Sequence, residues 1–572
     1  MLELALVVLV AWIGAVGFLL YGVLGHVRSG QDAVSAAQAG LKASSVTDPN
    51  AADLLTPVRS QFGAARGELD NPLLGPLRVT PVVGRQLRAV RSLTAAAEQV
   101  AIIGQSTVSK ARAALRSPHS RGPERVVALK ALSTAASQAD TELSKVSLGP
   151  DNALICLVRQ RRNEFAVRLG KVQTSMHRGS VAAQAVTQLL NGPHHVLVLG
   201  ANNAEMRNGS GMLLSATTAD FANGNLHMGQ VHDTGDLLLP PGAVANSGEF
   251  AKLWGFLHPT EEWRNLAVSP RFDVTAGIAA QMWKAKTGEN VDGVLTLDLD
   301  ALRGFLLAIG PVHVDGRTVT ADSVLPLLLH DQYVGSGGAD ADNGARRDQL
   351  GHIASAVVGA AQGGSFDSGA LASQLTRMVA GRHLMMWSPD PRQETAWRTA
   401  GVSGDLDADS LMVGVINRGG NKLDQYLNVS TDLDVRPGPT ATAVTARVHL
   451  ANVTPDGQPP YIAGTGAGGV PANVYRGFLT LALPRSARSI TIDGEANAIV
   501  SGPDGPTQTV AVQRDVSQGA SIDVVVQFLV PGAHGDLQVE SAARIPAATV
   551  SVSGPTGLVA QRTDESRPLI AW

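Results

Sequence analysis

"HHVLVLGANNAEMRNGSGMLLSATTADFANGNLHMGQVHD", residues 194–233, holds the pattern that decides the fold of the central part of the chain. A short apolar run is followed by a polar, glycine-bearing stretch and then by two strand-like runs around Asn223 and Gly224. A two-residue type I′ turn needs positive φ at both central positions, which Asn and Gly adopt readily. The stretch therefore predicts a strand, a loop over residues 201–211 and a β-hairpin.

The predicted turn also sets the register of the hairpin. Ala222 then pairs with Asn225. Continuing the pairing places Asp233 opposite Leu214 and Asp236 opposite Gly211. This register brings the polar loop and the "HDTGD" stretch together at one end of a sheet.

Downstream, "DGVLTLDLDALRGFLLAIGPVHVDGRTVT" predicts a strand, a helix and a further strand. Asp298 or Asp300 is placed to cap the helix and Gly310 to end it. A second predicted helix is opened by Arg346 and Arg347, behind a loop rich in Gly and Asp. Strands mixed with helices indicate an α/β core with a mixed sheet.

Length and composition limit the classes of protein that fit. A chain of 572 residues is too long for one core, because domains usually contain about 100 to 200 residues. Its 44% hydrophobic and 17% charged residues are typical of folded proteins, and a net charge of -3 gives no overall attraction to nucleic acid. The single cysteine, Cys156, excludes a disulfide framework and a multi-cysteine zinc site.

The N-terminal segment from Leu4 to Gly25 contains 22 residues without a charge. As a helix rising about 1.5 Å per residue it would cross a hydrocarbon core of about 30 Å, so it predicts a single transmembrane helix. A cleaved signal peptide is the alternative, although its apolar region usually has only about 7 to 15 residues. Arg28 and later basic residues follow the segment, which by the positive-inside rule places the bulk of the chain in the cytoplasm. Residues 1–3 are instead typical of a chain whose true start lies upstream, where basic residues would reverse this orientation.

The rest of the chain has two kinds of sequence pattern. An Ala-, Gln-, Ser- and Arg-rich region with helical apolar spacing predicts a stalk or bundle, and a partner-binding coiled coil is the alternative. Short alternating runs between Gly and Pro turns predict a C-terminal β-sandwich. The predicted domains are a transmembrane anchor at 1–28, a helical stalk or bundle at 29–190, the α/β core at 191–427 and the β-sandwich-like domain at 428–572.

Two hypotheses fit the polar residues of the core. Arginine side chains and exposed backbone N–H groups suit phosphate oxygens, which predicts an anion pocket. Alternatively, the acidic and amide residues cap the loop backbone while Arg207 pairs with Asp233 or Asp236. A metal site at His227, His232, Asp233 and Asp236 is disfavoured, because adjacent strand residues point to opposite faces. The pocket hypothesis uses Arg207, Asp233, Asp236, Arg346 and Arg347, with loop support from Asn202, Asn203 and Glu205.

Several blocks carry a resemblance to a known family. The stretches "NNAEMRNGSGMLLSATTADFANGNLHMGQVHDTGDL", "DGVLTLDLDALRGFLLAIGPVHV", "RHLMMWSPDP" and "NRGGNKLDQYLNVS" resemble an uncharacterised bacterial family, a domain of unknown function in membrane-anchored envelope proteins. The resemblance extends over about residues 60–450. It implies an envelope location with the bulk of the chain outside the plasma membrane.

The same blocks are distantly similar to the LytR-CpsA-Psr family. That family transfers glycopolymers from polyprenyl-pyrophosphate carriers to the cell wall, with arginines on the pyrophosphate and aspartates that hold magnesium. Its motifs resemble "LVLG", "RNGSG", "QVHDT" and "GARRDQLG" here, so that Arg207, Asp233, Arg346 and Arg347 are the matching positions.

The match departs from that family at three positions. Asn208 and Gly209 stand where the family has Ser-Asp, and His232 stands in place of an arginine. Losing one preorganised electrostatic group typically costs about 10²- to 10³-fold in rate, so both losses together favour binding without strong catalysis.

We therefore expect a membrane-anchored envelope protein that binds a lipid-linked or polymeric anionic ligand of pyrophosphate type. Its expected partners are the membrane and a polyprenyl-phosphate-linked glycopolymer or other envelope proteins, without nucleic acid. A purely structural scaffold is one alternative, and an active glycopolymer phosphotransferase that uses Mg²⁺ is the other.

Overall fold

The computed structural model describes residues 2–41, 45–116, 121–334, 341–364, 366–466, 469–496, 498–554 and 557–572. The chain forms two compact units, residues 1–188 with 368–373 and residues 189–367 with 374–572. The first unit is helical, and the second combines a mixed α/β region with C-terminal β-sheets. This architecture confirms the multidomain organisation that the sequence predicts.

Five longer helices and one short helix are the α-helices of the first unit up to residue 191 that the structure describes. They are α1 (Leu2–Gly40), α2 (Thr56–Leu69), α3 (Gly75–Arg78), α4 (Val83–Leu115), α5 (Gly122–Leu143) and α6 (Cys156–Asn191). Small and medium apolar side chains fill their contacts, as where Ala37, Val58 and Phe62 share one cluster.

The segment predicted to span a membrane lies within α1. Val16 and Val23 are buried in a cluster with Leu69 and Leu74, and the Trp12 indole donates a hydrogen bond of 2.9 Å to a backbone carbonyl. Over the described ranges, no helix combines the length and the apolar character that a bilayer crossing requires. The predicted transmembrane helix therefore gains no support from the structure.

The α/β region is built on one mixed sheet. Its strands are β1 (His194–Met206), β2 (Gly211–Ala222), β3 (Asn225–Met228), β4 (His232–Asp233), β5 (Gly293–Asp298), β6 (Val312–Val314), β7 (Arg317–Val319) and β8 (Leu384–Trp387). Its helices are α7 (Gly248–Trp254), α8 (Phe272–Thr287), α9 (Leu299–Ile309), α10 (Val324–Leu329), α11 (Ala341–Gln362), α12 (Ser368–Ala380) and α13 (Pro391–Ala400). The strand order is β3-β2-β1-β5-β8, with β4 also on β2, and β6 pairs with β7 separately. Because β1 and β5 are parallel while the other pairs are antiparallel, the predicted mixed sheet is confirmed.

Strand β1 is buried on both faces, which explains its nearly continuous apolar start. Leu197 and Leu199 pack in a cluster that includes Phe272 of α8, while Val196 and Val198 pack in another on the opposite side. The strand is longer than predicted, because residues 201–206 continue it and only the turn after Met206 separates it from β2. The predicted loop over residues 201–211 is therefore mostly strand.

The turn at Asn223 and Gly224 is confirmed by φ values of 51° and 75° and by the pairing of Ala222 with Asn225. The predicted register beyond β3 is wrong by one residue, because Asp233 pairs with Ser215. An extra residue between β3 and β4 causes the shift. Residues 234–237 then leave the strand as a 3-10 turn, so the predicted position of Asp236 is also wrong.

The predicted ends of α9 are confirmed. The Asp298 side chain accepts hydrogen bonds of 3.0 Å from the backbone N–H groups of Asp300 and Ala301. Gly310 follows the helix with φ of 93°, a conformation that an L side chain resists.

Two six-stranded sheets form the C-terminal region. Their elements are β9 (Ser410–Asn417), β10 (Leu427–Pro437), β11 (Ala441–Asn452), α14 (Pro460–Ala463), β12 (Tyr475–Pro484), β13 (Arg488–Ile492), β14 (Val500–Asp504), β15 (Thr507–Val516), β16 (Ser521–Pro531), β17 (Asp536–Glu540), β18 (Thr549–Gly554), β19 (Gly557–Thr563) and β20 (Leu569–Ala571). The sheet orders are β13-β16-β11-β10-β18-β19 and β14-β15-β12-β9-β17-β20. Val444 and Val526 of the first sheet share one hydrophobic cluster with Leu479 and Leu481 of the second. The C-terminal sheets start before the predicted boundary at residue 428, because β9 lies between β12 and β17.

Candidate functional site

Arg207 follows β1 directly and lies in the protein interior. Only 4% of the residue is exposed, and its guanidinium donates hydrogen bonds to the carbonyls of Arg264 (2.8 Å), Met206 (2.9 Å) and Asn417 (3.2 Å) and to the Asn265 side chain (3.4 Å). Burial lowers the pKa of Arg207 to about 10, which still leaves it charged at neutral pH. These acceptors replace the pairing with Asp233 or Asp236 that the loop-support hypothesis predicts.

The end of β1 is also held by a buried acidic residue. Asp424 accepts hydrogen bonds from the Met206 backbone N–H (2.9 Å), the Asn417 amide (2.8 Å) and the Tyr475 hydroxyl (3.0 Å). The Arg544 guanidinium lies 3.4 Å from the same carboxylate, and both side chains are fully buried. The α/β region and the C-terminal sheets are thus joined by a buried polar network.

The three residues predicted to support the loop make different contacts. Asn202 accepts a hydrogen bond of 2.9 Å from the backbone of Ala204, as a loop cap would. Asn203 is fully buried and donates to the Asp298 carboxylate at 2.7 Å. Glu205 forms an ion pair with Lys422. The Lys422 ammonium also lies over the rings of Tyr333 and Tyr461, 5.0 and 5.2 Å from their centroids.

Asp233 and Asp236, the other acidic residues of the predicted pocket, make no hydrogen bond with Arg207 among the described contacts. Asp233 accepts a hydrogen bond of 2.5 Å from the Gly235 backbone and so caps the 3-10 turn, and Asp236 is exposed. Arg346 and Arg347 lie on α11, but their side chains are outside the described residues. The convergence of Arg207 with the arginine pair stays a prediction.

Two of the three positions that depart from the LytR-CpsA-Psr motif, Asn208 and Gly209, have packing roles. Asn208 accepts a hydrogen bond of 2.7 Å from the Thr480 hydroxyl of β12. A Cβ on Gly209 would lie 2.6 Å from the Ser269 carbonyl oxygen, and the Gly209 N–H donates to the Ala267 carbonyl at 2.8 Å. An aspartate at position 209 therefore does not fit this backbone.

A second polar cluster lies at the end of the sheet where β5 stops and β8 starts. The His383 Nδ1 atom is 2.7 Å from Asp298, and its Nε2 atom is 3.0 Å from Glu565 and 3.6 Å from Asp300. Arg377 of α12 is bonded to Asp300 and lies 3.9 Å from Glu565. Among the described residues, Asp300, His383 and Glu565 form a group whose ligand atoms all lie within 4.8 Å of one another.

The neighbouring carboxylates determine the protonation of His383, although its side chain is completely buried. Burial lowers the pKa of His383, but the carboxylates of Asp298, Glu565 and Asp300 outweigh it and raise that pKa to about 10. The group lies outside the carboxyl ends of the parallel strands β1 and β5, where open α/β sheets commonly place ligands.

The sequence offers only a weak signal for this cluster. Asp298 ends a predicted strand and His383 precedes an apolar run, which places both at one edge if the two strands are antiparallel neighbours. Local patterns do not reveal that pairing, and Glu565 is 182 residues from His383 in the sequence. The sequence analysis therefore missed this cluster, because its members lie far apart in the sequence.

Comparison with known proteins gives one domain match and no activity. A domain described as a protein of unknown function (DUF4012) is found at residues 191–333. The matched range contains the whole of β1 to β7 and is shorter than the predicted resemblance over residues 60–450. No curated protein matches the chain. The similarity to LytR-CpsA-Psr proteins gains no support from these comparisons.

Proposed function

We propose that residues 189–572 act as a non-catalytic scaffold of the cell envelope, in which the Arg207 loop (residues 207–210) connects the α/β region to the C-terminal sheets. The observation that carries this proposal is the set of four hydrogen bonds from Arg207 to protein oxygens. An anion that took over the guanidinium would leave buried carbonyls without donors. Each such unsatisfied group costs about 1–3 kcal/mol, which opposes binding.

The neighbouring residues support the same role. Asp424 and Arg544 form a fully buried pair that contacts both β1 and the C-terminal sheets. Removing one member of such a pair typically costs about 3–5 kcal/mol, because the other charge stays buried. Polar side chains at the end of β1 thereby fix one arrangement of the two regions.

The envelope location rests on the family resemblance and on α1. Phe18 and Tyr21 are 77% and 76% exposed, and Leu24 continues this exposed apolar face. An exposed apolar face on an uncharged segment suits contact with lipid. Membrane attachment through α1 is therefore part of the proposal.

The test is thermal unfolding of wild type and Arg207→Ala, each with and without a short-chain polyprenyl phosphate. We expect Arg207→Ala to lose about 1–3 kcal/mol of stability, because its carbonyl acceptors lose their donor. We expect the phosphate to leave the melting temperature of the wild type unchanged. Arg264→Ala is the matched control, since that exposed arginine pairs with Glu262 and such pairs contribute about 1 kcal/mol or less.

The opposite pattern favours the anion-binding function. A phosphate that raises the wild-type melting temperature, together with an Arg207→Ala variant of normal stability that no longer responds, overturns the scaffold proposal. Transfer of a glycopolymer by the wild type in the presence of Mg²⁺ also overturns it.

A further inference from the structure

We propose that Asp300, His383 and Glu565 bind a divalent transition-metal ion, with Asp298 orienting the imidazole. The proposal is independent of the scaffold role. That role rests on the hydrogen bonds of Arg207 and on the Asp424–Arg544 pair, and none of the residues proposed here takes part in them. Imidazole and carboxylate ligands together suit Zn²⁺, and Mn²⁺ is a second candidate.

The imidazole already has the orientation that metal ligands show. A metal-bound histidine almost always donates its other ring N–H to a carboxylate, which fixes the ring and its tautomer. Here Nδ1 lies 2.7 Å from Asp298, so Nε2 faces Asp300 and Glu565. Asp298 is held in turn by the amide of Asn203 at 2.7 Å.

The spacing of the ligand atoms fits one small ion. Zn²⁺ binds nitrogen and oxygen at about 2.0–2.2 Å, so ligands at two corners of a tetrahedron lie about 3.3–3.5 Å apart. The Nε2 atom of His383 is 3.0 Å from Glu565 and 3.6 Å from Asp300, one on each side of that separation. The ligand atoms of Asp300 and Glu565 lie within 4.8 Å of each other, so these two side chains have to move closer together when an ion binds all three residues.

A metal ion would take the place of the proton on Nε2 of His383. Arg377 contacts Asp300 and lies 3.9 Å from Glu565, and Arg303 lies 3.8 Å from the other oxygen of Asp300. These two guanidinium groups and the protonated imidazole balance the three carboxylates, so a divalent ion that displaces the proton adds one unit of positive charge. A carboxylate has about four acceptor positions, so Asp300 can contact Arg377 and a metal together.

The site can be reached and is shaped around the imidazole. The side chains of Glu565 and Arg377 are 22% and 29% exposed, while His383 is buried. A Cβ on Gly381 would lie 2.8 Å from His383 Nε2, so the backbone there leaves room only for the ring. Because Glu565 lies in the 3-10 turn after β19, a bound ion would clamp this turn onto β5 and β8.

The test is binding of Zn²⁺ to the full chain after removal of metals by a chelator, measured by calorimetry and elemental analysis. We expect one high-affinity equivalent and a higher melting temperature with Zn²⁺ than with the chelator. Glu565→Gln keeps the side-chain volume and should weaken binding at least about tenfold, as should Asp298→Asn through loss of orientation. Co²⁺ in place of Zn²⁺ should give a visible absorption band that the Glu565→Gln variant lacks.

The matched control is Glu261→Gln. Glu261 also lies beside a histidine, 3.4 Å from His258, but on an exposed turn of the α/β region. We expect this variant to bind Zn²⁺ as the wild type does. Absence of bound metal in the wild type, or equal affinity in Glu565→Gln and the wild type, overturns the proposal and leaves the cluster as an ion-pair network.

Discussion

At the scale of single residues, polar side chains in this protein are explained by partners that lie far away in the sequence. Arg207 bonds to Asn417, and Asn203 bonds to both Asp298 and the Ala543 carbonyl. When only the residues adjacent in sequence are considered, an arginine beside glycines suggests an exposed anion site. The sequence therefore predicted which polar residues matter, but it did not predict that they lie in the protein interior.

One buried acid makes stability depend on pH. Burial raises the pKa of Glu394 to about 7 from an ordinary value of 4.5, so the native state holds a proton that the unfolded state releases between these values. The free energy of unfolding should therefore fall as pH rises from about 4.5 to 7, by on the order of 1 kcal/mol per unit of pKa displacement.

The substitution Glu394→Gln tests this slope. A glutamine can still accept the 2.9 Å hydrogen bond from the Ser388 N–H, but it does not titrate. We expect chemical denaturation at pH 5, 6 and 7 to show a smaller decline for this variant than for the wild type. Glu261→Gln retains Glu394 and should keep the wild-type decline, and identical curves for all three proteins would contradict the assignment.

At the scale of elements, the sequence predicted features that depend on local backbone conformation. The turn at Asn223 and Gly224, the cap at Asp298 and the helix end at Gly310 each follow from one or two residues. The extra residue between β3 and β4 could not be predicted, because no local preference requires it. The length of β1 was missed for a related reason, since Asn202, Asn203 and Glu205 interrupt the apolar pattern.

The hairpin turn supplies a test at this scale. Gly224 has φ of 75°, where an L residue loses about 1–2 kcal/mol, and a β-branched side chain fits least well. We expect Gly224→Val to lower the free energy of unfolding by at least about 1 kcal/mol. Ala222→Val is the control, because residue 222 is an exposed strand position where valine is favourable. Equal melting temperatures for the two variants would show that the turn carries no strain.

At the scale of the whole molecule, the sequence predicted the series of regions but not their connections. The helical, α/β and β-rich regions appear in the predicted order. The predicted boundary at residue 428 lies after β9, which falls in the α/β region by sequence and pairs with strands of the C-terminal sheet. The apolar pattern of one strand does not reveal which sheet it joins.

The proposed envelope location can be tested with reporters at this scale. We expect alkaline phosphatase fused behind residue 572 to be active, and green fluorescent protein at the same site to be dark, if this end lies outside the membrane. A chain that lacks residues 1–28 should abolish phosphatase activity, because the proposed anchor is removed. A fluorescent fusion with an inactive phosphatase would overturn the location.

The position of β9 has a consequence during synthesis, because both strands that pair with it are made later. Its two neighbours, β12 (Tyr475–Pro484) and β17 (Asp536–Glu540), follow it in synthesis, and at about 5–20 residues per second the second neighbour emerges several seconds later. Both edges of this buried strand lack hydrogen-bonding partners until β12 is made, and the edge that pairs with β17 lacks one for the whole interval. A nascent chain stalled before residue 536, or held halfway through an export channel, would therefore expose a strand prone to pairing with other chains.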